Sequence, residues 1–302
     1  TMENFAEQVR LFNEASRNTI VLDSANFRGD FIQQAFFDSV RSAQRRTDMH
    51  ATNAAVAPTD ITDHVQTSVK VAGGFGPIRY EPAQHLWMLE PTARSIEVAS
   101  RNFADALLYD QVNTSVGVAV AAIQSQGTAA TNGAIATEVT YDTINMAHAK
   151  FGASSGLILA DIMTGMQYHK LVSKNLTNAP SLLFKAENVT VVDILGKAVV
   201  VVDAPGLTAV DGTNRVLGLT RGAVVASDSG DLITNVQTNN GKSRIETTFQ
   251  ADYNFTLKVK GYSWDTTTGG KSPLDAELHS SANWSMVTES LKSTAGVLAI
   301  GK

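Results

Sequence analysis

The stretch from Thr92 to Gln126 constrains the fold most strongly, because it predicts one uninterrupted helix. Such a helix would be about 50 Å long, roughly three times the average length in globular proteins. Pro91 precedes it, where a missing backbone N–H costs little. The pattern indicates a structural strut rather than the floor of an active site. Apolar residues recur at helical steps and drift around the axis: Ile96, Ala99, Phe103, Leu107, Leu108, Val112, Val116, Val120 and Ile123.

The composition excludes several classes of protein. The chain has no cysteine, which rules out disulfides, thiolate nucleophiles and cysteine-ligated zinc. A net charge of -5 argues against a protein whose main task is to bind nucleic acid. The sequence predicts neither a transmembrane helix nor a secretory signal. Charged residues make up only 18% of the chain, which favours a surface covered by neighbouring molecules.

The N-terminal region predicts two helices rich in phenylalanine. Apolar spacing places one over residues 3–17 and another over Asn26–Arg46. Half of the 12 phenylalanines lie between Phe5 and Phe37. So many aromatic residues ahead of a compact domain predict an arm that packs on a neighbouring subunit. A helical hairpin on the surface of the same chain is the alternative.

The next stretch, Ala54–Met88, predicts a long β-hairpin. Polar and apolar residues alternate through its first half, which is the period of a strand. Gly73–Pro77 supplies glycines and a proline suited to the turn, and Ile78–Met88 returns as the second strand. Isolated two-stranded hairpins are marginal in water, so we expect this one to lie on another molecule.

The region from about 130 to 235 predicts a compact α/β domain. The expected elements are a helix over Thr140–Phe151, a buried strand over Leu157–Ala160, a helix over Met163–Leu176, a strand pair over Val189–Ile194 and Lys197–Val202, and another pair over Leu217–Leu219 and Ala223–Ala226.

The C-terminal region predicts long strands and short helices. A strand is expected over Arg244–Trp264, after a sharp turn at Asn239–Gly241. Pro273–Leu278 is expected to form a helical turn, Trp284–Leu291 a short helix, and Gly296–Ile300 an apolar end.

One motif has the spacing of a catalytic serine. Residues 152–156 fit G-x-S-x-G with Ser154 as nucleophile, a motif that needs a strand before it and a helix after it. Here a predicted helix precedes and a strand follows, so we interpret the motif as a loop. Asp161, Asp193 and His169 would supply partners in the usual chain order, which leaves a serine hydrolase as a distant alternative.

No other motif predicts a catalytic, cofactor or metal site. The histidines form neither H-E-x-x-H nor an i, i+4 pair. Gly73–Gly76 lacks the G-K-[ST] ending of a phosphate-binding loop. The basic cluster of Arg41, Arg45 and Arg46 is expected to be a solvated helix end or an intersubunit ion pair rather than a nucleic-acid site.

The order of the parts resembles a known family: an arm, a long hairpin, a very long helix, an α/β domain and return strands. Residues 149–152, 156–160 and 166–171 resemble its helix–strand–helix, and residues 195–203 resemble the strand pair that follows. The chain is similar in this α+β layout to the Hong Kong 97-type major capsid proteins of tailed double-stranded DNA bacteriophages.

The resemblance implies five parts. Residues 1–50 would be the N-terminal arm, 51–90 the extended E-loop hairpin, and 91–129 the spine helix of the peripheral domain. Residues 130–235 would be the axial domain, and 236–302 the return strands of the peripheral domain with the C-terminal segment.

The resemblance also implies a function without catalysis or cofactors. The subunit would assemble as pentamers and hexamers into an icosahedral shell that encloses double-stranded DNA. The shell would contact this DNA only weakly and without sequence preference. A separate scaffolding protein, a portal protein and a decoration protein are the implied partners, with no membrane. The location would be the virion, after assembly in the host cytoplasm. An encapsulin-like nanocompartment is the alternative shell.

Overall fold

The structure is a computed structural model. It describes residues 9–10, 12–23, 31–37, 44–53, 55–58, 60, 63–81, 93–131, 138–178, 192–194, 197–209, 211–228 and 232–301. The helices labelled here are α1 (Ala93–Gln124), α2 (Tyr141–Ala149), α3 (Gly165–Asn178) and α4 (Asp275–Leu278). The strands are β1 (Ile20–Asp23), β2 (Gln33–Phe37), β3 (Asp63–Thr67), β4 (Val69–Tyr80), β5 (Ile158–Met163), β6 (Val192–Ile194), β7 (Lys197–Val201), β8 (Asn214–Thr220), β9 (Val224–Asp228), β10 (Ile233–Asn239), β11 (Glu246–Val259), β12 (Tyr262–Trp264), β13 (Trp284–Met286) and β14 (Gly296–Gly301).

The predicted long helix is confirmed as α1, within two residues of each expected end. Between Gln111 and Ile123 every side chain except that of Asn113 is buried, so this half of the helix has no solvent face. A helix segment that is buried on all sides belongs in a core, which accounts for the drift of its apolar stripe. The segment Arg101–Gln124 is long and apolar enough to cross a membrane, but 72% of its most apolar window is buried inside the chain.

Two five-stranded sheets flank this helix. Sheet I has the order β1-β9-β11-β10, and β4 also pairs with β11; sheet II has the order β14-β8-β5-β7-β6. Sheet II is covered on both faces, as is usual for sheets with parallel strands. Leu217, Leu219 and Leu298 pack in the cluster that contains α1, whereas their strand neighbours Val216 and Val297 pack with residues of α2 and α3.

Close approach of the backbone holds the middle of α1 against the segment that follows β7. A Cβ built on Gly206 would lie 2.8 Å from the Gly117 Cα, so only glycine fits there. Farther towards the N-terminus, Phe103 packs edge-on against Phe75 of β4, with ring centroids 5.2 Å apart. The two halves of the helix therefore have different partners: the first half contacts β4 and β11, and the second half contacts the segment leading away from β7.

Several local predictions are confirmed. The elements α2, β5, α3 and the β6–β7 pair lie at their predicted places, and the turn after Asn239 joins β10 to β11. The Pro273–Leu278 turn is present as α4. Val199 and Val200 of β7 are buried on opposite faces of sheet II, although Val201 is exposed.

The prediction that the N-terminal arm packs on a neighbour is wrong for β1. This strand pairs in parallel with β9, and Ile20 and Leu22 are buried in the core of their own chain. The Asn13 amide donates to Leu22 O at 2.9 Å and accepts from Leu22 N at 2.9 Å, so the side chain acts as an extra strand neighbour. Residues 9–10 and 12–15 are helical as expected. Residues 3–8 and 11 of the predicted 3–17 helix lie outside the described residues.

The helix predicted over Asn26–Arg46 is wrong where it can be compared. Gln33–Phe37 is strand β2, paired antiparallel with β3, so neither the arm of helices nor the alternative helical hairpin describes it. Apolar spacing in so short a run is ambiguous between helix and strand, and pairing with β3 decides for the strand. Arg41 lies outside the described residues.

The hairpin predicted over Ala54–Met88 is wrong in its turn. Gly73–Pro77 lies inside β4, which continues through it and pairs antiparallel with β11. The glycines make room instead: a Cβ on Gly73 would lie 2.5 Å from the Tyr253 ring, and the register shifts where Gly76 has a φ of 100°. Residues 82–88 of the predicted second strand lie outside the described residues.

Two predictions for the rest of the chain are also wrong. The β8–β9 pair does not form, because β8 joins sheet II and β9 joins sheet I. The helix expected at Trp284 is strand β13, paired with β12 through Trp264 and Trp284, whose rings pack edge-on. The C-terminal strand β14 pairs with β8 in sheet II.

A buried pair of polar side chains joins α2 to sheet II. The His148 Nε2 lies 2.8 Å from Asp161 Oδ1 on β5, and their side chains are 5% and 0% exposed. Gly218 on the adjacent strand must lack a side chain, since a Cβ there would lie 2.9 Å from His148 Nε2. Lys197 nearby donates to the carbonyl oxygens of Ser155 and Ile158 at 2.7 and 2.8 Å.

A second polar pair joins α1 to sheet I. The Tyr253 hydroxyl donates to Asp110 Oδ2 at 2.6 Å. Burial raises the pKa of Asp110 above its ordinary value, Asp275 raises it further by a smaller amount, and the bond from Tyr253 opposes the rise. Burial, together with this bond, also raises the pKa of Tyr253, which keeps its hydroxyl a donor.

Replacing His148 with Ala should leave the Asp161 carboxyl buried without its partner. We expect the free energy of unfolding to fall by about 3–5 kcal/mol, measured by urea denaturation of the unassembled subunit. His169→Ala is the matched control, because His169 is exposed on α3, and should cost no more than about 0.5 kcal/mol. Equal losses in the two variants would contradict the role assigned to the pair.

Replacing Asp110 with Asn should remove a pH-dependent destabilisation. The folded protein holds the Asp110 proton more tightly than the unfolded chain does, so stability falls as the pH rises from the unfolded pKa through the raised folded pKa. The stability of Asp110→Asn relative to the unchanged protein should therefore be higher at pH 7 than at pH 4, the pH near the ordinary pKa of an aspartate. Denaturation curves at both pH values measure it, and a constant difference would refute it.

Candidate assembly surfaces

The proposed catalytic serine lies in a connecting turn. Ser154 is half-buried in a short 3-10 segment, Gly152–Leu157, with α2 before it and β5 after it, the reverse of a nucleophile elbow. Asp161 is hydrogen-bonded to His148 rather than to Ser154 or His169. His169 is exposed on α3, and Asp193 lies in β6 opposite Ala198. The predicted partners of Ser154 are therefore not assembled into a triad.

The His148–Asp161 pair is the polar cluster that sequence reasoning missed. The two residues lie 13 positions apart on different elements, and no local spacing motif identifies such a pair. Among the described residues, no group of three or more His, Asp or Glu side chains is placed to hold a metal ion. The pair buries its charge-bearing atoms away from solvent, so its geometry suits fixing α2 on sheet II rather than meeting a substrate.

The first large surface is a two-stranded ribbon that projects from the body of the chain. We name it the loop ribbon: β2, β3 and the described residues between them, 44–53, 55–58 and 60. Each of those connecting residues is exposed, Met49 by 86% and Val56 by 58%. Arg45 and Arg46 are exposed there too, which fits the predicted solvated cluster. A segment so open buries little of its own apolar surface.

The base of the loop ribbon is nevertheless fixed. The buried Gln66 amide donates to the backbone oxygen of Tyr262 at 3.0 Å and also to that of Val259. The Thr67 N–H donates to the Ser263 hydroxyl at 3.0 Å, and the Ser68 N–H donates to Ile32 O at 2.9 Å. The ribbon therefore leaves the body from a rigid attachment, while its connecting segment has no such contacts among the described residues.

The second surface is the far end of sheet I, which we name the outer ribbon: β10, the first half of β11 and the last half of β4. Val236, Phe249 and Ile78 lie in register across its three strands, and the outer two are 59% and 55% exposed. Ion pairs lie at its tip: Arg79–Glu246 at 3.3 Å, Lys242–Glu246 at 2.5 Å and Arg244–Glu81 at 2.7 Å. An exposed apolar row of this kind marks an interaction surface.

A third group of exposed apolar side chains lies on the helical side of sheet II. Three apolar side chains there are each more than half exposed: Met146 of α2, Leu157 in the turn before β5, and Met166 of α3. Their neighbours Ile144 and Leu171 are buried in the core below. The helices thus present apolar side chains outwards as well as inwards, which is what subunit contacts require.

Comparisons with known proteins agree with this architecture. The chain resembles solved structures from Mycobacterium phage Adephagia (10% identity, TM-score 0.54, covering 93% of this chain and 87% of that one) and from the capsid asymmetric unit of cyanophage Pam1 (10%, 0.52, 93% and 87%). It also resembles the acidic stable capsid structure of Helicobacter pylori bacteriophage KHP30 (11%, 0.52, 96% and 88%). At these identities the likeness concerns the fold, which is the Hong Kong 97-type fold predicted from the sequence.

Sequence comparison identifies the family. None of the curated proteins compared with the chain matches it. The family described as Gp13-like, major capsid protein 13-like, matches residues 1–298, almost the entire sequence. The chain therefore belongs to the Gp13-like family of major capsid proteins, and its role is that of a structural capsid protein.

Proposed function

We propose that the chain assembles as pentamers and hexamers into an icosahedral shell that encloses double-stranded DNA in a virion. The observation that carries this proposal is the contrast between a packed core and two ribbons that bury little within their own chain. Identical subunits in pentamers and hexamers need slightly different contacts. Exposed ribbons on fixed attachments absorb such differences, and the α1 core stays constant.

The division of labour follows from the two sheets. We assign α1, sheet I and the β12–β13 pair to a peripheral domain, and sheet II with α2 and α3 to an axial domain. Exposed Met146, Leu157 and Met166 would then meet other subunits around the centre of each ring. Heterologous contacts of this kind close into rings when the rotation between subunits closes.

The surroundings of the subunit follow from its charge and its surfaces. A net charge of -5 supports an inner wall that touches DNA only weakly and without sequence preference. We propose a separate scaffolding protein, a portal protein and a decoration protein as partners, assembly in the host cytoplasm, and no catalytic activity. The hydrogen bond that holds the buried Asp161 carboxylate on His148, rather than on Ser154 or His169, supports the last point.

Electron microscopy of the purified chain tests the shell directly. Expressed alone or with its scaffolding protein, the chain should form closed shells or rings of megadalton mass. The subunit contacts should survive dilution, since interfaces of this class bury on the order of 2,000 Å² or more. A dispersed monomer under all assembly conditions would refute the proposal.

Shortening the loop ribbon tests its part in assembly. Replacing residues 44–58 with a short Gly-Ser linker should leave the subunit fold intact, because those described side chains are exposed, with a stability change of about 1 kcal/mol or less. Closed shells should be lost in micrographs. The same replacement at the equally exposed Thr266–Thr268 is the control and should keep them. Normal shells from the shortened ribbon would contradict its role.

A further inference from the structure

Strand β10 forms an open edge of sheet I. Among the described strands it pairs with β11 alone, so its other side presents free backbone donors and acceptors. All seven residues of Ile233–Asn239 are exposed, including Ile233 by 66% and Val236 by 59%. Such an edge is a template on which another strand can add.

The sequence of β10 lacks the features that normally block this pairing. Natural edge strands carry charges, prolines or bulges, or are very short. The run Ile-Thr-Asn-Val-Gln-Thr-Asn has no charged residue and no proline. Its register with β11 runs without a break from Ile233–Asp252 to Asn239–Glu246. At about 3.4 Å per residue, it offers a straight edge of roughly 20 Å.

Charge at the two ends of the strand favours one arrangement of partners. Near Asn239, the ion pairs of the outer ribbon bring together three cations and two carboxylates: Lys242, Arg244, Arg79, Glu246 and Glu81. Near Ile233, the exposed Asp252 stands opposite on β11, with Gln250 as its hydrogen-bond donor. One end of the edge is therefore basic and the other acidic.

Two identical edges of this kind are complementary only when they run in opposite directions. Antiparallel pairing places the acidic end of each copy on the same side as the basic end of the other, across about 14 Å or three strand spacings from β11 to β11. Salt weakens attraction over this distance but does not change its sign. Parallel pairing would bring like ends together. A two-fold arrangement needs only this one patch, because the same surface serves both copies.

We infer that β10 pairs with β10 of a second copy of this chain, antiparallel about a two-fold axis at Val236, and joins two sheets I into one continuous sheet. The axis falls at Val236 because it is the middle of the seven residues, so that Ile233 then faces the second copy's Asn239. The inference deepens the proposed function, since it takes its second copy from the assembled shell.

Cysteine substitution tests the pairing cleanly, because the chain has no cysteine of its own. Directly opposed residues in antiparallel strands have Cα atoms about 4.5–5.5 Å apart, within the range a disulfide bridges. Val236→Cys shells, oxidised mildly and run on a non-reducing gel, should give covalent dimers. Asn235→Cys and Gln237→Cys should each stay monomeric alone but give dimers when the two variants are co-assembled.

A charge substitution provides the second measurement. Val236→Lys places two ammonium groups opposite each other, and like charges in directly opposed positions destabilise strand pairs. We expect assembly to require about a tenfold higher subunit concentration. Co-assembly of Val236→Lys with Val236→Glu should restore the original concentration.

The outcomes separate this inference from the proposed function. Intact shells in which Val236→Cys gives no dimer overturn the pairing and leave the shell function standing. Dimers from a chain that never forms shells support the pairing and refute the function. Dimers from Asn235→Cys alone would overturn the register centred on Val236.

Discussion

Burial of the second half of α1 on all sides, with Asn113 as the exception between Gln111 and Ile123, is the constraint on which the rest of the subunit depends. A helix without a polar face must be covered on all sides, and one sheet can cover only one of them. Sheet I and sheet II supply two sides, and the segment after β7 supplies another through the contact between Gly117 and Gly206. The two sheets therefore share a core, and the helix transmits the position of one sheet to the other.

The polar contacts at the margins of this core have a different task. Tyr253–Asp110 and His148–Asp161 each join a helix to a sheet with one directional bond in a partly or fully buried place. Apolar packing alone tolerates sliding, whereas an unpaired buried polar atom is costly. These pairs therefore favour one register of helix on sheet, which suits a subunit whose contacts with its neighbours must be reproduced many times.

The sequence predicted the parts of the fold that depend on local periodicity. The helices α1, α2 and α3 and the strand β11 are predicted correctly because each repeats its pattern over enough residues to exclude the other period. The errors at β2, β4 and β9 share one cause: these strands are defined by partners far away in sequence. From the sequence alone, Gly73 looks like a turn residue. The structure shows that Tyr253 of β11 fills the space that its missing side chain leaves.

The surfaces were only partly predictable. Low charge indicated that neighbours cover the chain, but nothing in the sequence showed that Ile78, Phe249 and Val236 share one row. Likewise, the exposed segment was placed after Ala54 as half of a hairpin, whereas the loop ribbon begins at β2. Exposure is a property of the folded pairings, so it could not be known before the strands were assigned.

The position of β14 has a consequence for how the subunit is made. This strand, at the C-terminal end of the described chain, pairs with β8 and covers α1 through Leu298. Sheet II and the core around α1 are thus incomplete until the ribosome has released residues up to Gly301. Long-range strand pairing is slow to form, and the edge of β8 stays open until then. The subunit can therefore complete sheet II and its core only after β14 has been synthesised and has paired with β8.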